Sequence, residues 1–135
     1  MTKMRTRYLG DLRTEITHLD SGAKIITDAP KDNNGKGESF SPTDLIASAL
    51  GSCMLTIMGI ACETHNFDIV GTRLEIEKLM DSDPRKVKEI IIDFYFPANK
   101  TYTDKQKKII DHIINTCPVR LSIHPDIIKN IRCHY

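Results

Sequence analysis

Ser41-Pro42-Thr43-Asp44-Leu45-Ile46-Ala47-Ser48-Ala49-Leu50-Gly51-Ser52-Cys53-Met54-Leu55-Thr56-Ile57-Met58-Gly59-Ile60-Ala61-Cys62 is the stretch on which the fold turns. Its opening is a helix start. Ser41 can cap, Pro42 suits the first helical position because no N–H is needed there, and Asp44 completes an S-x-x-D capping box, with Phe40 placed to staple onto Leu45. The helix is expected to continue to about His65, where Asn66 can close it, a length of roughly 36 Å at 1.5 Å per residue. No charged side chain occurs from Leu45 to Cys62, so the segment just reaches the length of a membrane-spanning helix. Gly51, Gly59, Ser48, Ser52 and Thr56 dilute its apolarity, and no aromatic belt or basic flank frames it, so it reads as a core helix. A helix apolar all round is buried all round. One small sheet cannot cover that much surface, and Ala47, Ala49, Gly51 and Gly59 would let a helix of a second subunit come close.

Upstream of this segment, Asp28 to Glu38 is rich in turn formers and poor in core residues, a loop of about a dozen residues for which a functional role is a fair suspicion. Before it, residues 12–27 read as a hairpin about Asp20-Ser21-Gly22, with a further short strand around Arg5–Leu9. Downstream, Gly71 to Met80 and Val87 to Phe96 alternate as two long antiparallel strands about Asp81-Ser82-Asp83-Pro84, with Ile90, Ile92, Phe94 and Phe96 on one face. A second helix starts at Thr103 with Gln106 as its capping-box partner, and Ile109, Ile110, Ile113, Ile114 and Cys117 form its apolar stripe. Pro118 interrupts that stripe, a short turn or helix ends before Pro125, and Ile127 to Cys133 makes a closing strand. The pattern is an α+β domain, taken as a single unit over residues 1–135.

Nineteen Lys and Arg against eighteen Asp and Glu leave a net charge of +1, so no strong field draws phosphate backbones or anionic lipid, and neither nucleic acid nor membrane is expected as a partner. The N-terminal residues mix basic and polar side chains without an apolar run, unlike a secretory signal, which points to the cytoplasm. Four cysteines are too few for a disulfide scaffold and would stay reduced there. Cys53, Cys62, Cys117 and Cys133 include no C-x-x-C, and the five histidines lack i, i+4 spacing, so no metal is expected.

Cys53 lies some three turns into the central helix, too far to gain from its dipole, so a lowered pKa would need a nearby cation; inert packing fits the position equally well. Cys117 follows one helix and can open the next, where backbone N–H groups and Arg120 can stabilise a thiolate; it also fits as the last apolar knob of its stripe. Cys62 lies ~13 Å along the helix from Cys53 and on the opposite side, so those two cannot pair. Cys62 and Cys133 read as structural.

Ser41-Pro42-Thr43-Asp44-Leu45 and Ala49-Leu50-Gly51-Ser52-Cys53, followed by Cys117-Pro118-Val119 after a second helix, resemble the OsmC/Ohr family of osmotically induced and organic-hydroperoxide-resistance proteins, over nearly the whole chain. The resemblance implies an intertwined homodimer with antiparallel sheets wrapped around two long helices. It also implies a thiol peroxidase: Cys53 attacks an organic hydroperoxide or hydrogen peroxide and becomes a sulfenic acid, Cys117 condenses with it to a disulfide, and an external dithiol reduces the pair. No cofactor is needed. The family supplies an arginine from the early hairpin beside the thiolate, and Arg13 holds the matching place. Hydroperoxide-resistance members hold that arginine with a glutamate directly after the helix-opening proline; here that residue is Thr43, leaving Asp44 or Glu38 as the substitute. A non-catalytic dimer that binds a small apolar ligand, or a redox sensor, would fit the same residues.

Overall fold

The helix start at Ser41 closes on itself as its residues require. Ser41 Oγ accepts the Asp44 N–H at 3.0 Å and Asp44 Oδ2 accepts the Ser41 N–H at 2.8 Å, so two otherwise orphaned donors are satisfied reciprocally. Helix α1 then spans Pro42–His65, and Asn66 follows at φ 58°, the left-handed conformation that stops a helix. The computed structural model describes residues 1–135, which form two compact units, Met1–Ile46 and Ala47–Tyr135.

In the first unit, strands β1 (Met4–Gly10), β2 (Arg13–His18) and β3 (Lys24–Asp28) form an antiparallel sheet in that order. The hairpin and the earlier short strand are both as the sequence predicts. The following loop folds back over a short 3-10 turn, Lys31–Asn33, with Gly35 N–H on the Pro30 carbonyl at 3.0 Å and Gly37 N–H on the Ala29 carbonyl at 3.1 Å. A Cβ on Gly35 would stand 1.7 Å from the Ala29 oxygen, so this close approach admits glycine alone. The buried side chains of the unit are Thr27, Asp28 and Ser41, all of them polar.

In the second unit, β4 (Arg73–Ser82) and β5 (Arg85–Tyr95) pair antiparallel over their whole length. Lys88 is skipped in the register, where Leu79 faces Glu89 and Met80 faces Val87. That extra residue turns Val87 to the same face as Ile90, Ile92 and Phe94, all four buried, which strict alternation would forbid. The closing strand β6 (Ile128–His134) runs parallel to β5, which corrects the expectation of purely antiparallel sheets. The reason is topological: between β5 and β6 the chain passes through helices α2 (Asp104–Thr116) and α3 (Pro118–Ser122), and such a helical crossover can return a strand in the same direction.

The core joins three faces. Ala47, Leu50, Met54, Met58 and Cys62 of α1 pack with Ile90, Ile92 and Phe94 of β5 and with Ile110, Ile113, Ile114 and Cys117 at the end of α2. Each large apolar side chain so buried contributes about 1.5–3 kcal/mol. Gln106 N–H on Thr103 Oγ1 at 3.2 Å and Thr103 N–H on Gln106 Oε1 at 2.9 Å form the expected capping box of α2. Within the chain α1 buries one helical stripe, and Ile60 remains 57% exposed. By length and composition alone α1 could also cross a bilayer.

Gly51 is buried where α1 approaches β4; a Cβ there would lie 2.8 Å from Ile76 Cδ1 and 2.9 Å from Leu74 Cδ1. Both are tips of flexible side chains. Gly51→Ala should therefore be near neutral, the crowding offset by about 1 kcal/mol of helix propensity, whereas the branched Gly51→Val should destabilise by about 1–3 kcal/mol. Urea unfolding of both variants checks this; equal midpoints for the two would remove the close approach as a constraint.

Candidate active site

The core that seats α1 against α2 also sets the two thiols. Cys53 flanks the buried stripe of α1 and is partly exposed, while Cys117 terminates the α2 stripe at 1% exposure. The two are neighbours, close enough for Cys53 to raise the pKa of the Cys117 thiol. This is the pair the sequence singles out, brought together within the second unit.

Cys117 closes α2 and opens α3. Its N–H donates to the Ile113 carbonyl at 3.0 Å, and its Sγ accepts the Arg120 N–H at 3.4 Å, with Pro118 at the first position of α3. These contacts favour a thiolate, as do the backbone groups expected from the sequence, yet burial outweighs them. Burial, followed by the neighbouring Cys53, pushes the Cys117 thiol above the ordinary cysteine range. Cys117 is thus a poor first nucleophile, and the less buried Cys53 is the better placed of the two to meet a substrate. Burial also pushes up Cys62 and Cys133, which marks both as neutral thiols.

Arg13 opens β2 in the first unit, and the structure brings Glu38 to it: their side chains form an ion pair. Asp44, the other carboxylate considered, is engaged in the capping box with Ser41. Sequence reasoning missed Asp28 at the end of β3. Its side chain is fully buried, its Oδ2 lies 3.5 Å from Arg13 Nη2, and the same oxygen accepts the Glu38 N–H at 2.9 Å. Asp28 therefore holds both the arginine and the backbone that presents Glu38. The Glu38 amide, then the Arg13 guanidinium, hold the Asp28 carboxyl below the usual carboxylate range in spite of its burial. The pairing of Arg13 with Asp28 on the adjacent strand follows from hairpin register, which the turn residues only bracket. Arg13 Nε and Asp28 Oδ1 are buried without partners, a donor and an acceptor left over. No group of three or more His, Cys, Asp or Glu side chains is arranged to hold a metal ion.

A carboxylate whose folded pKa is depressed contributes stability above its unfolded value and loses it as pH falls through the folded one. The Asp28 contacts should thus be complete at neutral pH and release the 29–40 loop only below the usual carboxylate range. Asp28→Asn should loosen the loop at neutral pH and flatten this acid dependence, read as faster amide hydrogen exchange over residues 29–40. Equal exchange in the two proteins would show that the loop does not depend on the Asp28 charge.

The OsmC-like protein family model matches residues 35–131. Among solved structures, a Psychrobacter arcticus 273-4 protein, provisionally described as an osmotic stress induced and detoxification response protein, is 51% identical with a TM-score of 0.93, covering 99% of this chain and 96% of its own. An organic hydroperoxide resistance protein OsmC from Legionella pneumophila is 12% identical with a TM-score of 0.79, covering 100% and 97%. The organic hydroperoxide resistance protein OhrB of Bacillus subtilis is 14% identical with a TM-score of 0.67, covering 99% and 98%; these two are likenesses of fold. No curated protein matches the chain. The family model spans most of the sequence and the Psychrobacter structure is both similar and substantially identical, so the chain belongs to the OsmC-like family.

Proposed function

We propose that the protein is a cysteine-based peroxidase acting on organic hydroperoxides or hydrogen peroxide. The observation that carries this reading is the nearness of Cys53 and Cys117, two free thiols, one on α1 and one at the joint of α2 and α3, whose titrations influence each other. Two neighbouring thiols can pass between reduced and disulfide states once one of them is oxidised. The names of the Legionella and Bacillus proteins of like fold favour peroxide over other oxidants.

The chemistry runs in three balanced steps. The Cys53 thiolate attacks one peroxide oxygen, the O–O bond breaks, and the alkoxide or hydroxide takes a proton and leaves as alcohol or water, with Cys53 oxidised to a sulfenic acid. The Cys117 sulfur then attacks Cys53 Sγ, the hydroxyl leaves as water, and a disulfide forms. An external dithiol reduces that disulfide through a mixed disulfide and is itself oxidised. The roles follow from burial: the partly exposed Cys53 reacts first, and the buried, proton-retaining Cys117 resolves. Arg13, fixed by Asp28 and Glu38, is assigned as the permanent positive charge that a Cys53 thiolate requires. Glu38, one of the two candidates for holding the arginine, shares that task with Asp28, while Asp44 serves the helix start.

The same reading makes the protein a homodimer. Tyr8, Leu9, Ile25 and Ile26 of the first unit and Ile60 of α1 are exposed, more apolar surface than isolated residues would account for. It also places the protein in the cytoplasm, where dithiol reductants are maintained.

Peroxide consumption with a dithiol reductant tests the proposal. Cys53→Ser should abolish turnover, and Cys117→Ser should consume one equivalent and stop at a trappable sulfenic acid. Arg13→Gln should slow turnover on the order of a hundredfold, as loss of a preorganised charge partner does. Wild-type turnover no faster than Cys53→Ser would end the enzymatic reading and leave a non-catalytic dimer.

The raised Cys117 pKa gives a second expectation. Below that pKa the thiolate fraction grows about tenfold per pH unit, so disulfide formation after a single peroxide pulse should accelerate steadily from pH 7 to 9. Stopped-flow measurement of that step checks it, and a rate flat across this range would contradict a protonated resolving thiol.

A further inference from the structure

Beyond the thiols, the second unit carries a feature that peroxide chemistry does not use. Arg120, Leu121, Ile123, Pro125, Ile127 and Lys129 line a cavity of about 540 Å³ at the surface. Four apolar side chains and two cations line it. Arg120 Nη1 is buried and has no hydrogen-bond partner, a costly state for a guanidinium donor. Lys129 Nζ donates to the His124 carbonyl at 2.9 Å, which leaves two of its three donors free.

The charges around the cavity do not balance. Burial and the Arg120 charge both oppose the Lys129 ammonium and hold it below the ordinary lysine range, with Asp126 as the carboxylate that counters them. Asp126 is exposed and shares its carboxylate with His124, whose Nδ1 lies 3.7 Å from Asp126 Oδ2. Two cations, one with an unused buried donor, are the donor set of an anion site. A guanidinium fork beside an ammonium suits the planar oxygens of a carboxylate. Leu121, Ile123, Pro125 and Ile127 would waste their surface on a fully hydrated inorganic anion but would cover an alkyl chain.

The geometry points to a binding site for an amphipathic carboxylate, its carboxyl group held between Arg120 and Lys129 and its alkyl chain on Leu121, Ile123, Pro125 and Ile127. The site is separate in its chemistry from the thiol pair and stands whether or not the protein consumes peroxide. Its link to that pair is α3, which Cys117 caps and which carries Arg120 one turn on.

Calorimetric titration of the full chain with octanoate, octanol and inorganic phosphate tests the site. Saturable octanoate binding is expected, weaker by about tenfold or more in Arg120→Gln and in Lys129→Met, and unchanged in Cys53→Ser. Octanol and phosphate should each bind at least about tenfold more weakly than octanoate, since each lacks one half of the recognition. Methionine keeps the alkyl stem of the half-buried Lys129, so Lys129→Met carries the test if Arg120→Gln unfolds. The proposal is overturned if octanoate does not saturate, if octanol or phosphate matches it, or if both cation variants bind it as the wild type does. Loss of binding in Cys53→Ser would also overturn it, by moving the ligand to the thiols.

Discussion

The packing of one apolar stripe of α1 against β5 and α2 is the constraint on which the rest of the second unit depends. Ala47, Leu50, Met54, Met58 and Cys62 recur at helical spacing and meet Ile90, Ile92 and Phe94 on one side and Ile110, Ile113 and Ile114 on the other. Cys53 is at the edge of that stripe and Cys117 closes the opposing one. Cys53 is carried by α1 and Cys117 by the tight joint of α2 and α3, so core packing positions both sulfurs. Such a placement keeps the pair in register at little conformational cost.

Electrostatics divides the labour between the two thiols. Burial makes Cys117 hold its proton in spite of the amide of Arg120, while Cys53 stays partly exposed. In the first unit, Arg13 is held by carboxylates from a strand and a loop. Thr43 could not do this: its short neutral hydroxyl lies 3.2 Å from Ser41 Oγ and offers no charge. Asp28, adjacent to Arg13 in sheet register, supplies the charge from a strand, and the tight turn at Gly35 brings Glu38 back to the same guanidinium.

Much of this was legible in the sequence. Both capping boxes, the start of α1 at Pro42 and its end at His65, the face of β5 and the Cys117-Pro118 break are local patterns whose physics is complete within a few residues. The direction of β6 was not legible, because strand polarity is decided by the path of the crossover and leaves no mark on the strand itself. The bulge at Lys88 was hidden for a similar reason: Val87 and Ile90 look out of phase until a partner strand fixes which residue is skipped. Asp28 read as the first residue of a polar loop, since an aspartate ahead of Ala-Pro is ordinary turn chemistry. Only the β2–β3 register makes it the buried partner of Arg13. The apolarity of α1 was read correctly, but within the chain only one of its faces is covered.

The polar interior of Met1–Ile46 bears on how the chain acquires its order. With Thr27, Asp28 and Ser41 as its buried side chains, that segment has hydrogen bonds to arrange and no oily cluster to collapse upon, and a three-stranded ribbon of this kind is marginal in water. The arginine-bearing segment is therefore the part of the chain expected to lose its order first in denaturant, ahead of the unit that owns the apolar core.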